Sequence, residues 1–258
     1  MIKKWELTIP ELTGKEKRRA YVYLPTMYRK QPRRRFPVLY MFDGHNVFFD
    51  EDATYGKSWG LADYLDYTDT PLIVAAVECN HHPDNGRLSE YSPFDFSDEE
   101  MGSFTGRGGI TMDWFTNVFK PLVDRRFRTK RGRRHTFIAG SSMGGLMSLY
   151  AVTRYNHVFS RAAALSPSVW VDLEKLLKLI RTAPIQPETV VYMDYGSEEL
   201  GNHKEMARGL RRVADALFDR GIYLNARIVP GGDHSEASWE RQLPFFLGTL
   251  LYGMDWEE

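Results

Sequence analysis

In this chain, residue types and spacing point most directly to chemistry at Gly140-Ser141-Ser142-Met143-Gly144. A short apolar run, Thr136–Ala139, leads into this stretch, and a helix-like one, Met143–Tyr155, leaves it. In a G-x-S-x-G pattern the serine sits on a sharp turn from a buried strand into a helix. Its hydroxyl is presented at the strand's carboxyl end, and small neighbours let the helix pack closely. The spacing selects Ser142 as a nucleophile. Ser141, in the x position, is expected to point away from the site and to serve packing or local hydrogen bonding. A serine is a weak nucleophile near neutral pH, so it needs a base, a group that orients the base, and donors for an oxyanion.

The base expected from position is His234, in Pro230-Gly231-Gly232-Asp233-His234-Ser235, after the last expected strand and before the last helix. The other histidines are placed less well. His135 begins the strand that feeds the turn, and His157 follows the helix after it. His45, His81 and His82 lie upstream, and His203 is expected to open a helix. The acid should fall between serine and histidine in the chain. Asp194, Glu198 and Glu199 all stand at the end of the run Val190–Asp194, and each could hold the imidazole in one tautomer. For the oxyanion, the amide of Met143 is expected to pair with that of His45, in Phe42-Asp43-Gly44-His45-Asn46-Val47-Phe48. Gly44 would allow the turn that aims the His45 amide inward, leaving the His45 side chain without a part.

These residues need a frame that brings strand ends together. Trp5–Ile9 and Tyr21–Leu24 read as leading antiparallel strands. Phe36–Phe42 and Leu72–Val77 are apolar without alternation, as strands buried on both faces should be. Further strands are expected at Thr136–Ala139, Ala162–Leu165, Val190–Asp194 and Asn225–Val229. Between them lie amphipathic stretches at 59–67, 112–126, 143–155, 171–181, 203–220 and 239–252. The alternation predicts an α/β architecture: a mostly parallel central sheet of about eight strands with helices on both faces. Residues 1–258 read as a single domain. Residues 80–109, rich in polar and turn-forming types, read as a long loop or lid-like insertion.

Composition narrows the function classes. The chain has 258 residues, 43% of them apolar, and no formal net charge, which argues against a nucleic-acid or polyanion partner. Met1-Ile2-Lys3-Lys4-Trp5 lacks the apolar stretch of a signal peptide, and no apolar run approaches the roughly 20 residues of a membrane span. A soluble, cytoplasmic protein acting on a small molecule is expected, without a cofactor. Nothing in the sequence sets an oligomeric state. Cys79 is the only cysteine, so an internal disulfide or cysteine cluster is excluded. His81-His82-Pro83-Asp84 reads as a loop cluster and not a metal site, since adjacent histidines do not share a helix face and no partner shows ligand spacing. Two basic runs, Lys30–Arg35 and Arg125–Arg134, each precede a strand. They are expected to be solvated on the sheet edge opposite the site.

With the turn, histidine, acid and Asp43-Gly44 loop in order, the chain resembles the Putative esterase family of α/β-hydrolases. That family includes enterochelin-type siderophore esterases, S-formylglutathione hydrolases, feruloyl and acetyl-xylan esterases, and mycolyltransferases. The resemblance covers most of the chain and rests on Tyr40–Phe49, Arg87–Pro93, Ile138–Leu146, Leu165–Trp170 and Asp233–Trp239. It implies the α/β-hydrolase fold, a serine esterase working through an acyl-enzyme, and Glu199 as the acid, with Asp194 the alternative. Members commonly carry Gln where His45 stands, a difference that leaves a backbone role intact. The histidine- and glycine-rich oxyanion loop usual in the S-formylglutathione branch is absent. Trp170 is expected to wall the acyl or alcohol pocket. Arg87 and Arg107 would suit an anionic siderophore lactone, unless they pair with Glu90, Asp98, Glu99 or Glu100. Tyr91, Phe94, Phe96 and Trp170 would suit a feruloyl or acyl sugar ester. An acyltransferase would use the same acyl-enzyme, and a non-catalytic binding module would keep only the fold.

Overall fold

The structure, a computed structural model, describes residues 1–199 and 204–254, the second stretch without the side chains of 204 and 205. His203, expected to open a helix, lies outside the described residues. The chain opens with β1 (Ile2–Thr8), the short helix α1 (Pro10–Thr13) and β2 (Lys17–Tyr23). β2 returns antiparallel to β1, with Ile2 opposite Tyr23 and Thr8 opposite Lys17. In β1, half-buried Trp5 and Leu7 alternate with exposed Lys4, Glu6 and Thr8, as suits a strand at a sheet edge. After α2 (Thr26–Lys30) come β3 (Val38–Met41), α3 (Leu61–Tyr67) and β4 (Ile73–Val77). Every residue of β3 and β4 is buried, which explains apolar runs without alternation.

The segment expected as a long loop at 80–109 has structure of its own. It holds α4 (Gly86–Glu90) and a small hairpin of β5 (Phe96–Asp98) and β6 (Gly102–Phe104). Phe96 and Phe104 stack across that hairpin at 5.0 Å, which gives so short a ribbon an apolar contact of its own. A continuous helical stretch follows: α5 (Gly108–Trp114), a π-helical segment Phe115–Phe119, and α6 (Lys120–Arg126). It begins earlier than the Met112 read from periodicity.

The rest of the chain alternates strand and helix. β7 (Thr136–Ser141), α7 (Met143–Arg154), β8 (Arg161–Leu165) and α8 (Leu173–Thr182) are followed by β9 (Val190–Gly196) and α9 (Lys204–Phe218). β10 (Tyr223–Val229), α10 (Glu236–Glu240) and α11 (Leu243–Leu251) complete it, the last two dividing the single helix expected at 239–252. The main sheet has eight strands in the order β1-β2-β4-β3-β7-β8-β9-β10. From β4 to β10 all neighbours are parallel. Successive residues of a strand enter opposite cores. Tyr40, Ile138, Ala162 and Met193 join one apolar cluster with α7, α8 and α9, whereas Leu39, Phe137, Ala163 and Tyr192 join another with α3 and α11. Helices therefore cover both faces, as expected.

Both basic runs lie at the edge where β3 and β7 begin, opposite the Ser142 turn, and they are not simply solvated. Arg35 donates to the Thr129 carbonyl, and Arg128 to the carbonyls of Tyr28 and Gln31. Arg133 bonds Asn156 and Thr189. These cations tie the strand-start loops to one another. A buried ion pair likewise fastens α4 to the sheet: Arg18 Nη1 of β2 reaches Glu90 Oε1 at 2.6 Å, both side chains being nearly inaccessible. Replacing one partner of such a pair strands a charge in the interior, at about 3–5 kcal/mol. Glu90→Ala is expected to lower urea-unfolding stability by that amount. A change within experimental error would show that α4 is held some other way.

Candidate active site

The sequence from Phe137 to Met147 folds into a sharp turn between β7 and α7 because small residues allow it. A side chain on Gly140 would place its Cβ 2.8 Å from the Gly144 backbone, so the strand and helix approach as closely as they do only with glycine here. Between them Ser142 stands at φ 57°, ψ −121°, a conformation L-residues rarely adopt. Such strain costs of order 1–3 kcal/mol and persists where surroundings over-determine it. They do: Ser142 N–H donates to the Leu165 carbonyl at 2.9 Å, and the Ser142 carbonyl accepts from Ser168 N–H at 3.0 Å. Ser142 Oγ lies 3.5 Å from Ser168 Oγ, and among the described residues it makes no hydrogen bond to His234. Ser141 is buried at the strand end and, contrary to expectation, helps line a cavity that Ser142 and His234 also line.

His234 follows β10 and is half-exposed, its ring edge-to-face against Trp239 at 5.1 Å. Its Nδ1 lies 2.6 Å from Glu199 Oε2. With the proton on Nδ1, Nε2 is left with a lone pair. Glu199 is buried just after β9, and its second oxygen is fully engaged. Oε1 accepts from Ser166 Oγ at 2.7 Å and from Gly196 N–H at 2.9 Å. The Ser166 hydroxyl also accepts from Trp239 Nε1 at 3.0 Å, so Trp239, Ser166, Glu199 and His234 form a closed ring of contacts.

Asp194, the alternative acid, does not reach His234. It is buried under this ring, accepting from Tyr192 Oη at 2.7 Å and from Ser166 N–H at 3.2 Å. Burial pushes its carboxyl up to about 6. Glu198 lies at the cleft rim, near Ser197.

Asp43, at φ 53°, begins the turn after β3, so the left-handed residue is the aspartate and not Gly44. Gly44 is needed for proximity, since a Cβ there would meet the Val77 backbone at 2.8 Å. Among the described residues, the N–H groups of His45 and Met143 donate to no backbone acceptor, which leaves both free for an oxyanion. The His45 side chain is buried and bonds Thr54 Oγ1 at 3.0 Å, and burial holds its imidazole below the ordinary histidine pKa.

The expected substrate contacts fare differently. Trp170 is 41% exposed and walls a cavity of about 410 Å³ that Ser142 and His234 also line, backed by Phe96 at 5.8 Å. Arg87 lines the same cavity, but its guanidinium is already paired with Asp43, Nε to Oδ1 at 2.8 Å and Nη2 to Oδ2 at 2.7 Å. None of the acids named as its partners from sequence is involved. Tyr91 must be corrected. It is fully buried, packs edge-on to Phe42 at 5.0 Å, and accepts the Asp43 N–H at 3.3 Å, so it braces the turn after β3 and has no surface to offer a substrate. Arg107 donates to the carbonyls of Glu11 and Leu12, away from the cleft. Ser166 and Ser168 escaped the sequence reading as site residues, although the Leu165–Trp170 stretch that holds them was distinctive.

A doubly covered, largely parallel sheet with a strained serine turn, and a histidine paired to an acid at its carboxyl edge, defines an α/β-hydrolase. Residues 12–250 match the family described as Putative esterase, and the chain belongs to that family; it is a carboxylic ester hydrolase. It is 27% identical over 249 residues to protein YbbA of Bacillus subtilis, covering 92% of this chain and 93% of that one. It is 28% identical over 142 residues to a siderophore triacetylfusarinine C esterase of Aspergillus fumigatus, covering 54% of this chain and 46% of the other. The fold is similar to that of an IroE-like serine hydrolase from Shewanella oneidensis, with a TM-score of 0.75 at 20% identity over 99% of this chain and 81% of that one. No helix among the described residues is long and apolar enough to cross a membrane.

Asp194 offers a pH test of this arrangement. Its carboxyl is raised in the folded chain to about 6 from an ordinary 3.8, so between those values the native state holds a proton that the unfolded chain has released. Stability is therefore lost as pH rises through that window. Asp194→Asn does not titrate. Relative to it, the wild type is expected to lose roughly 3 kcal/mol between about pH 3 and pH 7, at 1.36 kcal/mol per unit. Parallel denaturation curves with a constant difference across that range would contradict the burial of this carboxylate.

Proposed function

We propose that Ser142, His234 and Glu199 hydrolyse a carboxylic ester through an acyl-enzyme on Ser142. The supporting observation is the 2.6 Å contact of His234 Nδ1 with Glu199 Oε2, in a cleft that also presents Ser142 on its strained turn. His234 Nε2 takes the Ser142 proton as Oγ attacks the acyl carbon. Glu199 holds the tautomer that permits this and stabilises the imidazolium that results. The imidazolium then protonates the leaving alcohol, and water repeats the sequence to free the acid. The amides of Met143 and His45 receive the oxyanion. Ser142 Oγ, now nearer Ser168, comes to His234 by rotation about χ1, and catalytic hydrogen bonds commonly tighten only once substrate is bound.

The cleft divides at the nucleophile. Its larger part, with Leu88, Met101, Trp170 and Met206, suits an apolar or aromatic portion of the ester. A second cavity of about 380 Å³, beside His45 and Trp239, shares Ser142, His234 and Arg87 with the first. Because Asp43 neutralises Arg87, aromatic and apolar contact weighs more in binding than anion capture. A siderophore lactone or a feruloyl or acyl sugar ester fits that description, and relatives described as a feruloyl esterase and as a siderophore esterase support both.

Ser142→Ala is expected to abolish hydrolysis of p-nitrophenyl esters and fluorophosphonate labelling, with a loss on the order of 10⁶ in kcat. Glu199→Gln should lower kcat by roughly 10²–10⁴ with little change in KM, because it disturbs the tautomer and not the pocket. If Ser142→Ala stayed active while Ser141→Ala did not, the assignment would fail. A wild type that neither hydrolyses nor labels would be a binding module. Dominant acyl transfer to an added alcohol would make it an acyltransferase.

A further inference from the structure

The second part of the cleft gathers three metal-ligating side chains that the proposed reaction does not use. His45, Cys79 and His81 each offer a donor atom within 4.8 Å of the others. The two imidazoles meet edge-to-face with centroids 4.6 Å apart. His45 is only 4% exposed, and its Nδ1 has no hydrogen-bond partner. Leaving such a group buried and unsatisfied costs about 1–3 kcal/mol, so it calls for a ligand. Its other nitrogen, Nε2, is fixed on Thr54 Oγ1. When Nε2–H donates there, Nδ1 carries an in-plane lone pair. Metal-binding histidines are oriented in this way, through a hydrogen bond from the nitrogen that does not ligate. His45 sits in the turn after β3 and buried Cys79 just after β4, so adjacent parallel strands hold two of the donors. His81 is exposed.

We propose that His45, Cys79 and His81 form a binding site for a borderline-soft divalent cation, with Zn²⁺ the fitting member, and that its occupancy inhibits the esterase. Two imidazole nitrogens and one thiolate suit tetrahedral zinc, with a fourth position open to water from the cleft. With bonds of about 2.0–2.3 Å, zinc ligands stand closer together than 4.8 Å, and the movement of His81 closes the difference. Binding is a proton exchange: the Cys79 S–H bond breaks, an S–Zn bond forms, and one H⁺ is released to solvent. Asp43, beside the thiol, keeps its pair with Arg87. Inhibition follows because the cation occupies space that Ser142 and His234 line, against the His45 turn whose amide faces the oxyanion. That consequence rests on the oxyanion role proposed above, whereas the site itself does not.

Titrating the full chain with Co²⁺ tests the site without reference to catalysis. One equivalent is expected to bind with a near-ultraviolet thiolate-to-cobalt charge-transfer band, which Zn²⁺ then abolishes by displacement. Cys79→Ser should lose the band. His81→Ala, a surface change, should weaken Co²⁺ affinity at least about tenfold and raise the Zn²⁺ inhibition midpoint equally, with metal-free turnover of a small ester unchanged. No charge-transfer band in the folded wild type, or equal affinity in His81→Ala, would overturn the site. Zn²⁺ inhibition unaltered by His81→Ala would place the inhibitory ion on His234 instead and overturn the regulatory part. An enzyme inactive without metal would count against the esterase mechanism while leaving the cobalt titration decisive.

Discussion

Glu199 has one oxygen to give to His234 because the other is already taken. Ser166 Oγ and Gly196 N–H both donate to Oε1, which fixes the rotation of the carboxylate and points Oε2 at the imidazole. Ser166 can do this only from an unusual backbone, at φ 43°, with its amide held by Asp194 and its hydroxyl by Trp239. A buried polar network of this kind is stiff when every member is satisfied and costly when one is lost. Asp194 accordingly supports the site from below. It fixes the serine that fixes the glutamate.

The sheet makes that network affordable. Ser142 and Ser166 end neighbouring parallel strands, and both have positive φ. Each such residue stores strain of order 1–3 kcal/mol, which an isolated loop would relax. Here the two ends hold each other, since Ser142 N–H bonds the Leu165 carbonyl and Ser168 N–H bonds the Ser142 carbonyl. Strand order then places the Asp43 turn of β3 on the other flank of β7. The Asp43 turn, Ser142, Ser166 and Glu199 thus stand at the ends of four neighbouring strands, β3, β7, β8 and β9, with His234 added from β10.

What could be read from the sequence was what is local. The strand–turn–helix around Ser142, the doubly buried strands, and a histidine after the last strand all have signatures within a few residues. So does the Gly196–Glu199 turn, although residue pattern alone did not separate Glu199 from Asp194. That separation needed the direction of each side chain, and Asp194 on β9 turns to Tyr192 and Ser166. The misreadings involve partners far apart in the chain. Arg87 looked available because Asp43 is 44 residues away, and Tyr91 looked like a pocket aromatic because nothing nearby shows it under the turn after β3. The His81–Asp84 stretch does lie in a loop, with His82 paired to Asp84, and what its sequence could not show is that His81 meets His45 edge-to-face. The hairpin at 96–104 was hidden because three-residue strands leave too little pattern to count.

The cleft walls are unequal in origin. The polar machinery stands on sheet ends that cannot shift without disturbing the core, whereas Leu88, Met101 and the support behind Trp170 come from α4 and the β5–β6 hairpin. Besides the packing of Tyr91, Phe96 and Phe104 into the core, that segment is joined to the sheet through the Arg18–Glu90 pair and the Arg87–Asp43 pair. Lengthening a surface connection costs only a fraction of a kcal/mol per doubling. Substrate preference can therefore drift between descendants of this chain through insertions and exchanges in the 96–104 hairpin, while the sheet ends beneath are inherited intact.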